Sequence, residues 1–302
     1  MIDLRACLAP ELDANRVERV RGRLPGGAPE DWSTLAAIGA LALGSRRVIG
    51  ICGGQGSGKS TLAALLAEAM TLKGRKAVAC SLDDFYLTRA ERMRLAGTVH
   101  PLLATRGVPG THDVDLARRT VESLAAGTPT RVPRFDKGRD DRMLVETRAP
   151  VRDAQAVVFE GWCLGVAPQP GGQLAAPVND LEADEDSEGV WRAHVNDACR
   201  RYAPLWALVD WWVFLEVPDM DCVRRWRREQ ERQLPHAERM SERALTRFIA
   251  HYERLTLWQK SDFPSRADWH IRLDRRHRVA WAASRVRSGS DPPFRFHSGR
   301  RD

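Results

Sequence analysis

Eight consecutive residues, Gly53-Gly54-Gln55-Gly56-Ser57-Gly58-Lys59-Ser60, combine the residue types that hold phosphate. Their spacing is G-x-x-x-x-G-K-[ST], and they fall between a short β-branched run and a strongly helical one, the context this pattern needs. Glycines let the backbone curl until its N–H groups face inward as an anion nest, and the following helix adds its positive N-terminal end. Lys59 is then expected at the β- and γ-phosphates of a nucleotide. Ser60 offers a hydroxyl to Mg²⁺, and Thr61 completes the nucleotide-binding stretch 53–61. A second chemical cluster, Ser81-Leu82-Asp83-Asp84-Phe85-Tyr86, follows the next apolar run. In an open α/β sheet ligands bind beyond the C-terminal ends of strands, so these acids belong near the transferred phosphate. A carboxylate there can take the proton of an attacking alcohol or orient it. Adjacent acids on extended backbone point apart. One is expected to face the site and the other to bind water, Mg²⁺ or a loop amide, unless both merely cap the next helix. Glu160 ends another apolar run, where it can hold Mg²⁺ through water, orient an acceptor or pair with a loop arginine. Trp162 beside it reads as packing.

Further basic residues sit in turn-like, Gly/Pro-containing stretches: Arg106, His112, Arg134, Lys137 and Arg142. A small anionic substrate calls for such donors close to an alcohol-activating acid. Structural uses compete with this: Arg106 pairing with Asp113 or Asp84, His112 bonding at a helix start, and Arg134 pairing with Asp136 across a hairpin. A helix opening at Asp219 reads MDCVRRWRREQERQL. Arg224, Arg228 and Arg232 are spaced i, i+4, and Arg225 is so spaced from Glu229, which suits a solvated face laced with ion pairs. A nucleic-acid surface is the other reading, and Glu229 and Glu231 speak against it.

The elements that must position these groups alternate as an α/β protein does. Residues 1–45 read as a helical N-terminal extension. Then come strand 47–52, helix 60–73 and strand 76–82, a βαβ unit whose crossover is expected to be right-handed. Asp113 is a plausible N-cap for a helix over 114–126. Further strands are expected at 156–160, 211–217 and 268–273, and Arg-rich helices at 219–233 and 241–259. The segment 168–189 reads as an exposed acidic insertion, and 288–302 as a mobile tail.

The 302 residues fit two domains or one large α/β domain with insertions. Lys plus Arg is 47 against 40 Asp plus Glu, a surplus of +7 that suits an anionic ligand but is too diffuse to imply nucleic acid. No apolar run spans a bilayer, and the start lacks the charged-then-apolar order of a secretion signal. The six cysteines form no C-x-x-C pair, so reduced thiols in a cytoplasmic protein are expected. The absence of N-K-x-D argues against a GTPase, and that of L-S-G-G-Q against a transporter ATPase.

The D-x-F-Y pattern at Asp83–Tyr86 resembles the uridine kinase, phosphoribulokinase and pantothenate kinase group. Narrower likenesses join it: the stretch His100–Asp113 (HPLLATRGVPGTHD), Val132–Lys137 (VPRFDK), Asp141-Arg142, Glu160-Gly161-Trp162, and Trp191-Arg192 with Val195-Asn196. Together, over about residues 45–275, they are similar to the plant-type D-glycerate 3-kinase family and its fungal and bacterial relatives. Met240-Ser241-Glu242, Phe248 and Tyr252 share the likeness, whereas Arg254-Leu255 departs from a proline-containing stretch expected there. The resemblance implies a P-loop NTPase three-layer sandwich with a mostly parallel five-stranded sheet in order 2-3-1-4-5. A kinase domain would then span 46–287, with a helical lid within 219–240. It implies ATP and Mg²⁺, with Asp83 as the base and Lys59, Glu160 and lid arginines as its catalytic companions. Arg224, Arg225 and Arg228 are the lid candidates, and Ser60 and Glu160 organise the metal. Asp83, Asp84, Tyr86, Arg106, His112, Arg134, Lys137 and Arg142 are the candidates for the acceptor, most simply D-glycerate phosphorylated on its 3-hydroxyl. A nucleoside or pantothenate-like acceptor, or a regulatory or nucleic-acid-associated ATPase, are the competing expectations. No nucleic acid or membrane partner is expected, and the oligomeric state stays open.

Overall fold

The computed structural model describes residues 2–143, 149–233, 235 and 239–285. The expected tail 288–302 lies outside these residues, as do 234 and 236–238 of the expected lid segment.

Three helices precede the sheet: α1 (Leu4–Leu8), α2 (Ala14–Arg21) and α3 (Glu30–Ala42). The Asp3 and Asp13 carboxylates cap the first two by accepting from the N–H groups of Ala6 and Arg16. Then follow β1 (Val48–Gly53), α4 (Lys59–Leu72), β2 (Ala77–Ser81) and α5 (Arg89–Thr98), the last held by a Thr88/Glu91 capping box. Asp113 caps α6 (Val114–Ala125), and a small hairpin of β3 (Phe135–Asp136) and β4 (Asp141–Arg142) comes next. The chain continues with β5 (Ala156–Gly161), α7 (Asp180–Glu185), α8 (Val190–Arg201), α9 (Ala203–Trp206) and β6 (Trp211–Glu216). Helices α10 (Met220–Arg232) and α11 (Glu242–Asp262) lead to β7 (Trp269–Leu273) and β8 (Val279–Ser284).

The main sheet runs β2-β5-β1-β6-β7-β8, with the first five parallel and β8 antiparallel to β7. Those five are the expected strands, in the order 2-3-1-4-5 among themselves. The expectation of five strands is corrected to six. The added strand, VAWAAS, is alanine-rich and carries little intrinsic β signal. It forms because Asp274 accepts from the N–H groups of Arg276 and Arg278 and turns the chain back. Central β1 is buried throughout. Ile49 and Ile51 face a core built with α1–α4, and Val48 and Cys52 face one built with α6, α8, α9 and the middle of α11. Burial on both faces is why these strands read as continuous apolar runs.

The acidic segment 168–189 is not simply exposed, and that expectation is corrected. Glu182 and Asp186 are buried. Arg254 of α11 grips Glu182 from Nε at 2.8 Å and Nη2 at 2.6 Å. Asp186 accepts from the N–H groups of Trp191 and Arg192 and from the Arg192 guanidinium. Buried carboxylates persist where guanidinium groups and amides satisfy them. The arginine that departs from the family pattern is thus the anchor for α7. No helix among the described residues is long and apolar enough to cross a membrane.

Candidate active site

The phosphate-type loop joins the end of β1 to the start of α4. Gly56 and Gly58 have φ of 75° and 86°, which L side chains rarely adopt. Neither has room for a side chain: a Cβ on Gly56 would sit 2.8 Å from Trp226 of α10, and one on Gly58 2.9 Å from the Trp32 ring of α3. The loop is therefore clamped between the lid-side helix and the N-terminal helices. Lys59 Nζ lies 3.3 Å from the Gly54 carbonyl, across the mouth of the loop.

Beyond it opens a cleft lined by Gln55, Gly56, Gly58, Lys59, Ser60 and Thr61 on the loop side. Ser81, Asp83, Tyr86, Arg106, Lys137, Glu160 and Trp162 line the opposite wall, and Arg227, Gln230, Phe248 and Tyr252 close it from α10 and α11. Strand register explains the meeting. Glu160 lies beside Ile51 of β1 and Ser81 of β2, so its carboxylate emerges between the loop and the Asp83 turn. Ser60 donates to Glu160 Oε1 at 3.0 Å. Burial pushes the Glu160 carboxyl up, with Lys59 opposing that shift. Among the described residues no group of three or more His, Cys, Asp or Glu gathers as a metal cage. Two hard oxygen ligands with space beside them suit an ion such as Mg²⁺, which keeps several waters and takes phosphate oxygens.

The paired acids diverge as expected, although from a 3₁₀ turn, Leu82–Phe85, rather than extended strand. Asp83 faces the cleft. Tyr86 donates to its Oδ1 at 2.8 Å, and Lys137 Nζ lies 2.9 Å from its Oδ2. Burial pushes this carboxyl up, but Lys137, the Tyr86 hydroxyl and Lys59 outweigh it and hold the group well below the usual carboxylate range. Asp84 turns away, accepting the Phe135 N–H and the Arg134 guanidinium. Burial raises its carboxyl despite Arg134. It is the acid on a loop amide, and it ties the β3–β4 hairpin to the Asp83 turn.

Several expected contacts are corrected. His112 is buried, stacked on Tyr86 with ring centroids 4.6 Å apart, and its Nδ1 lies 2.8 Å from the Tyr202 hydroxyl. It backs Tyr86 rather than the cleft, and burial lowers it to about 4. Arg134 is spent on Asp84, and Arg142 on Asp113 and Glu91. Gly53, Gly54 and Ser57 shape the loop from beneath without lining the cleft. The lid arginines are corrected as well. Arg224 pairs with Asp221 and Glu253, Arg228 with Glu242, and Arg225 with Glu229 and the Arg275 carbonyl. The α10 arginine on the cleft is Arg227, packed 5.7 Å over the Phe248 ring and 3.3 Å from Glu231. Trp226 sets this phase: once it seats against Gly56, its neighbour must face the loop mouth.

Arg227, Gln230, Phe248, Tyr252, Ser81 and the cleft edge of Trp162 were not legible as site residues. Phe248 and Tyr252 are an i, i+4 aromatic pair on α11 within the stretch that shares the family likeness, and these two signals together could have marked them. Trp162 does pack, edge-on to Tyr252 with centroids 4.6 Å apart and its Nε1 donating to the Gly107 carbonyl, while also forming wall.

Residues 48–168 match the model of the phosphoribulokinase/uridine kinase family. The chain is 34% identical over 220 residues to an uncharacterised kinase of Schizosaccharomyces pombe, a match covering 68% of this chain and 78% of that protein. It is also 34% identical over 221 residues to the chloroplastic D-glycerate 3-kinase of Arabidopsis thaliana, covering 68% of this chain and 46% of that one. In fold it is similar to the solved D-glycerate 3-kinase of Cryptococcus neoformans var. grubii. The TM-score is 0.65 at 22% identity, over 90% of this chain and 100% of that one.

Proposed function

The chain belongs to the phosphoribulokinase/uridine kinase family, in the group of the plant-type D-glycerate 3-kinases, and from that premise we propose that it moves the γ-phosphate of ATP to a hydroxyl of a small hydroxy acid, D-glycerate at its 3-position. The observation that carries this reading is the pairing of Asp83 with Lys137 and Tyr86 across one cleft from Lys59 and Ser60. The phosphate cradle and an alcohol-orienting carboxylate thus share a single space.

In this mechanism the loop amides and Lys59 hold the β- and γ-phosphates. Ser60 and Glu160 would hold Mg²⁺, which would supply positive charge to offset that of the phosphates. Asp83, kept ionised by its neighbours, accepts the hydrogen bond of the attacking hydroxyl. With so low a proton affinity it orients the alcohol and takes the proton late, as suits a loose transition state. Arg227 faces the transferred group and stabilises the charge on its oxygens. Trp162, Phe248 and Tyr252 wall off water, which would otherwise accept the phosphoryl group. Arg106, held on one edge by Asp140, offers the rest of its guanidinium at the wall to an acceptor carboxylate, while Lys137 stays on Asp83 and keeps it ionised.

The relatives named for D-glycerate support this acceptor. The nucleic-acid ATPase reading draws no support from α10, where Arg224, Arg225 and Arg228 face acids of this same chain. The test is ADP release with D-glycerate, glycerol, uridine and pantothenate as acceptors. D-Glycerate alone is expected to drive turnover, with the product identified as 3-phosphoglycerate by NMR. Turnover driven by uridine or by nucleic acid, with D-glycerate inert, would contradict the reading.

A further inference from the structure

The loop that carries Arg106 is anchored by two residues with no role so far. Arg92 of α5 is 1% exposed, yet it is a cation in the protein interior. Its Nη1 donates to the Ala104 carbonyl at 2.6 Å, and its Nη2 to the Asp140 carbonyl at 2.6 Å and the Asp140 carboxylate at 2.8 Å. Asp140 has φ 57°, left-handed backbone that a non-glycine residue adopts at a cost. Its other carboxylate oxygen accepts from Nη1 of Arg106. Arg106 and Arg92 both lie against the Phe135 ring, at 5.4 and 5.8 Å. Among the described residues, Nη2 and Nε of Arg106 donate to nothing. One edge of the guanidinium is therefore held while the rest stays available at the cleft wall. A guanidinium fixed in this way keeps its planar fork ready for a carboxylate, at little cost in side-chain freedom.

We propose that Asp140 is the positioning residue that aims Arg106 at the carboxylate of the acceptor, with buried Arg92 holding Asp140 in its left-handed conformation. The inference rests on the kinase reading above and adds to it the origin of acceptor preference. Asp140 acts through Arg106, and the hairpin it belongs to also carries Lys137. Acceptor grip and the partner of Asp83 are thereby set by one anchored turn.

The test compares the full-length wild type with Asp140→Gly, Arg106→Ala and the double variant, using D-glycerate and neutral glycerol as acceptors. Glycine accepts the left-handed backbone, so the turn is kept while the carboxylate is lost. Asp140→Asn, which also tolerates that backbone, serves should the glycine variant lose its fold. The expected result is a rise of about tenfold or more in KM for D-glycerate in Asp140→Gly, with KM for ATP and kcat within about twofold of wild type. Asp140→Asn is expected between the two. The double variant should be no worse than Arg106→Ala alone, because Asp140 has nothing left to aim. An unchanged KM for D-glycerate in Asp140→Gly, or losses that multiply in the double variant, would overturn the inference while leaving the kinase reading intact. A wild type that phosphorylates glycerol as well as D-glycerate would overturn the inference, since no carboxylate grip would then set the preference, whereas a wild type inert toward D-glycerate would overturn the kinase reading itself.

Discussion

Asp83 and Asp84 show how one dipeptide divides its work. Asp83 has a side chain 29% exposed to the cleft and flanked by Lys137 and Tyr86, whereas Asp84 is drawn under the hairpin by Arg134 and the Phe135 amide. Asp83→Asn keeps the shape and removes the charge that orients the hydroxyl. It is expected to lower kcat by about a hundredfold or more, read in a coupled ADP assay. Asp84→Asn weakens the hairpin tie instead, so its mark is lower thermal stability with chemistry retained once folded. Arg227→Ala is expected to lower kcat about a hundredfold, while Arg224→Ala and Arg228→Ala stay within about twofold. Equal losses at all three arginines would contradict the assignment of Arg227. This distinction could not be read from MDCVRRWRREQERQL, where five arginines crowd one helix and only the seat of Trp226 against Gly56 decides which of them looks inward.

At the scale of elements, the loop at 53–60 was legible because its chemistry is local: glycines, a lysine and a serine at fixed spacing between a strand and a helix. Asp113 as an N-cap and the D-x-F-Y turn were legible for the same reason. What stayed hidden depends on packing between distant segments. Phe248 and Tyr252 reach the cleft only because α11 crosses behind it, and Glu182 is buried only because Arg254 lies 72 residues away in the chain. Trp32 shows the same dependence, since a tryptophan in the N-terminal helices reads as core until its ring is found against Gly58. Gly58→Ala therefore meets two penalties, φ of 86° and a ring 2.9 Å from the new Cβ. It is expected to cost about 1–3 kcal/mol in urea denaturation and to weaken MgATP binding in calorimetry. Gly172→Ala, with nothing within 4 Å, should do neither.

The whole molecule is a sheet whose two faces are covered by helices and whose strand ends carry the site, and its response to pH reflects that burial. His251 of α11 is 2% exposed, and its Nε2 has no partner among the described residues. Burial lowers its pKa from 6.5 to about 4. The unfolded chain then binds more protons than the folded one between these values. Stability from this group is full above about pH 6.5, falls as the pH drops, and is fully lost below about pH 4. Between pH 7 and pH 5 the loss should amount to about 2 kcal/mol. Urea titrations should show His251→Gln losing less stability over that interval than wild type by about this amount, whereas parallel curves would refute the burial argument. The central claim is that the cradle at 53–60 and Asp83 work on the same phosphoryl group. Single-turnover transfer of labelled γ-phosphate to D-glycerate, with MgATP affinity measured on the same wild-type and Asp83→Asn samples, tests it directly. The account predicts affinities equal within about twofold and transfer at least about a hundredfold slower in the variant. Transfer at the wild-type rate by Asp83→Asn, or a wild type that binds no MgATP, would contradict it.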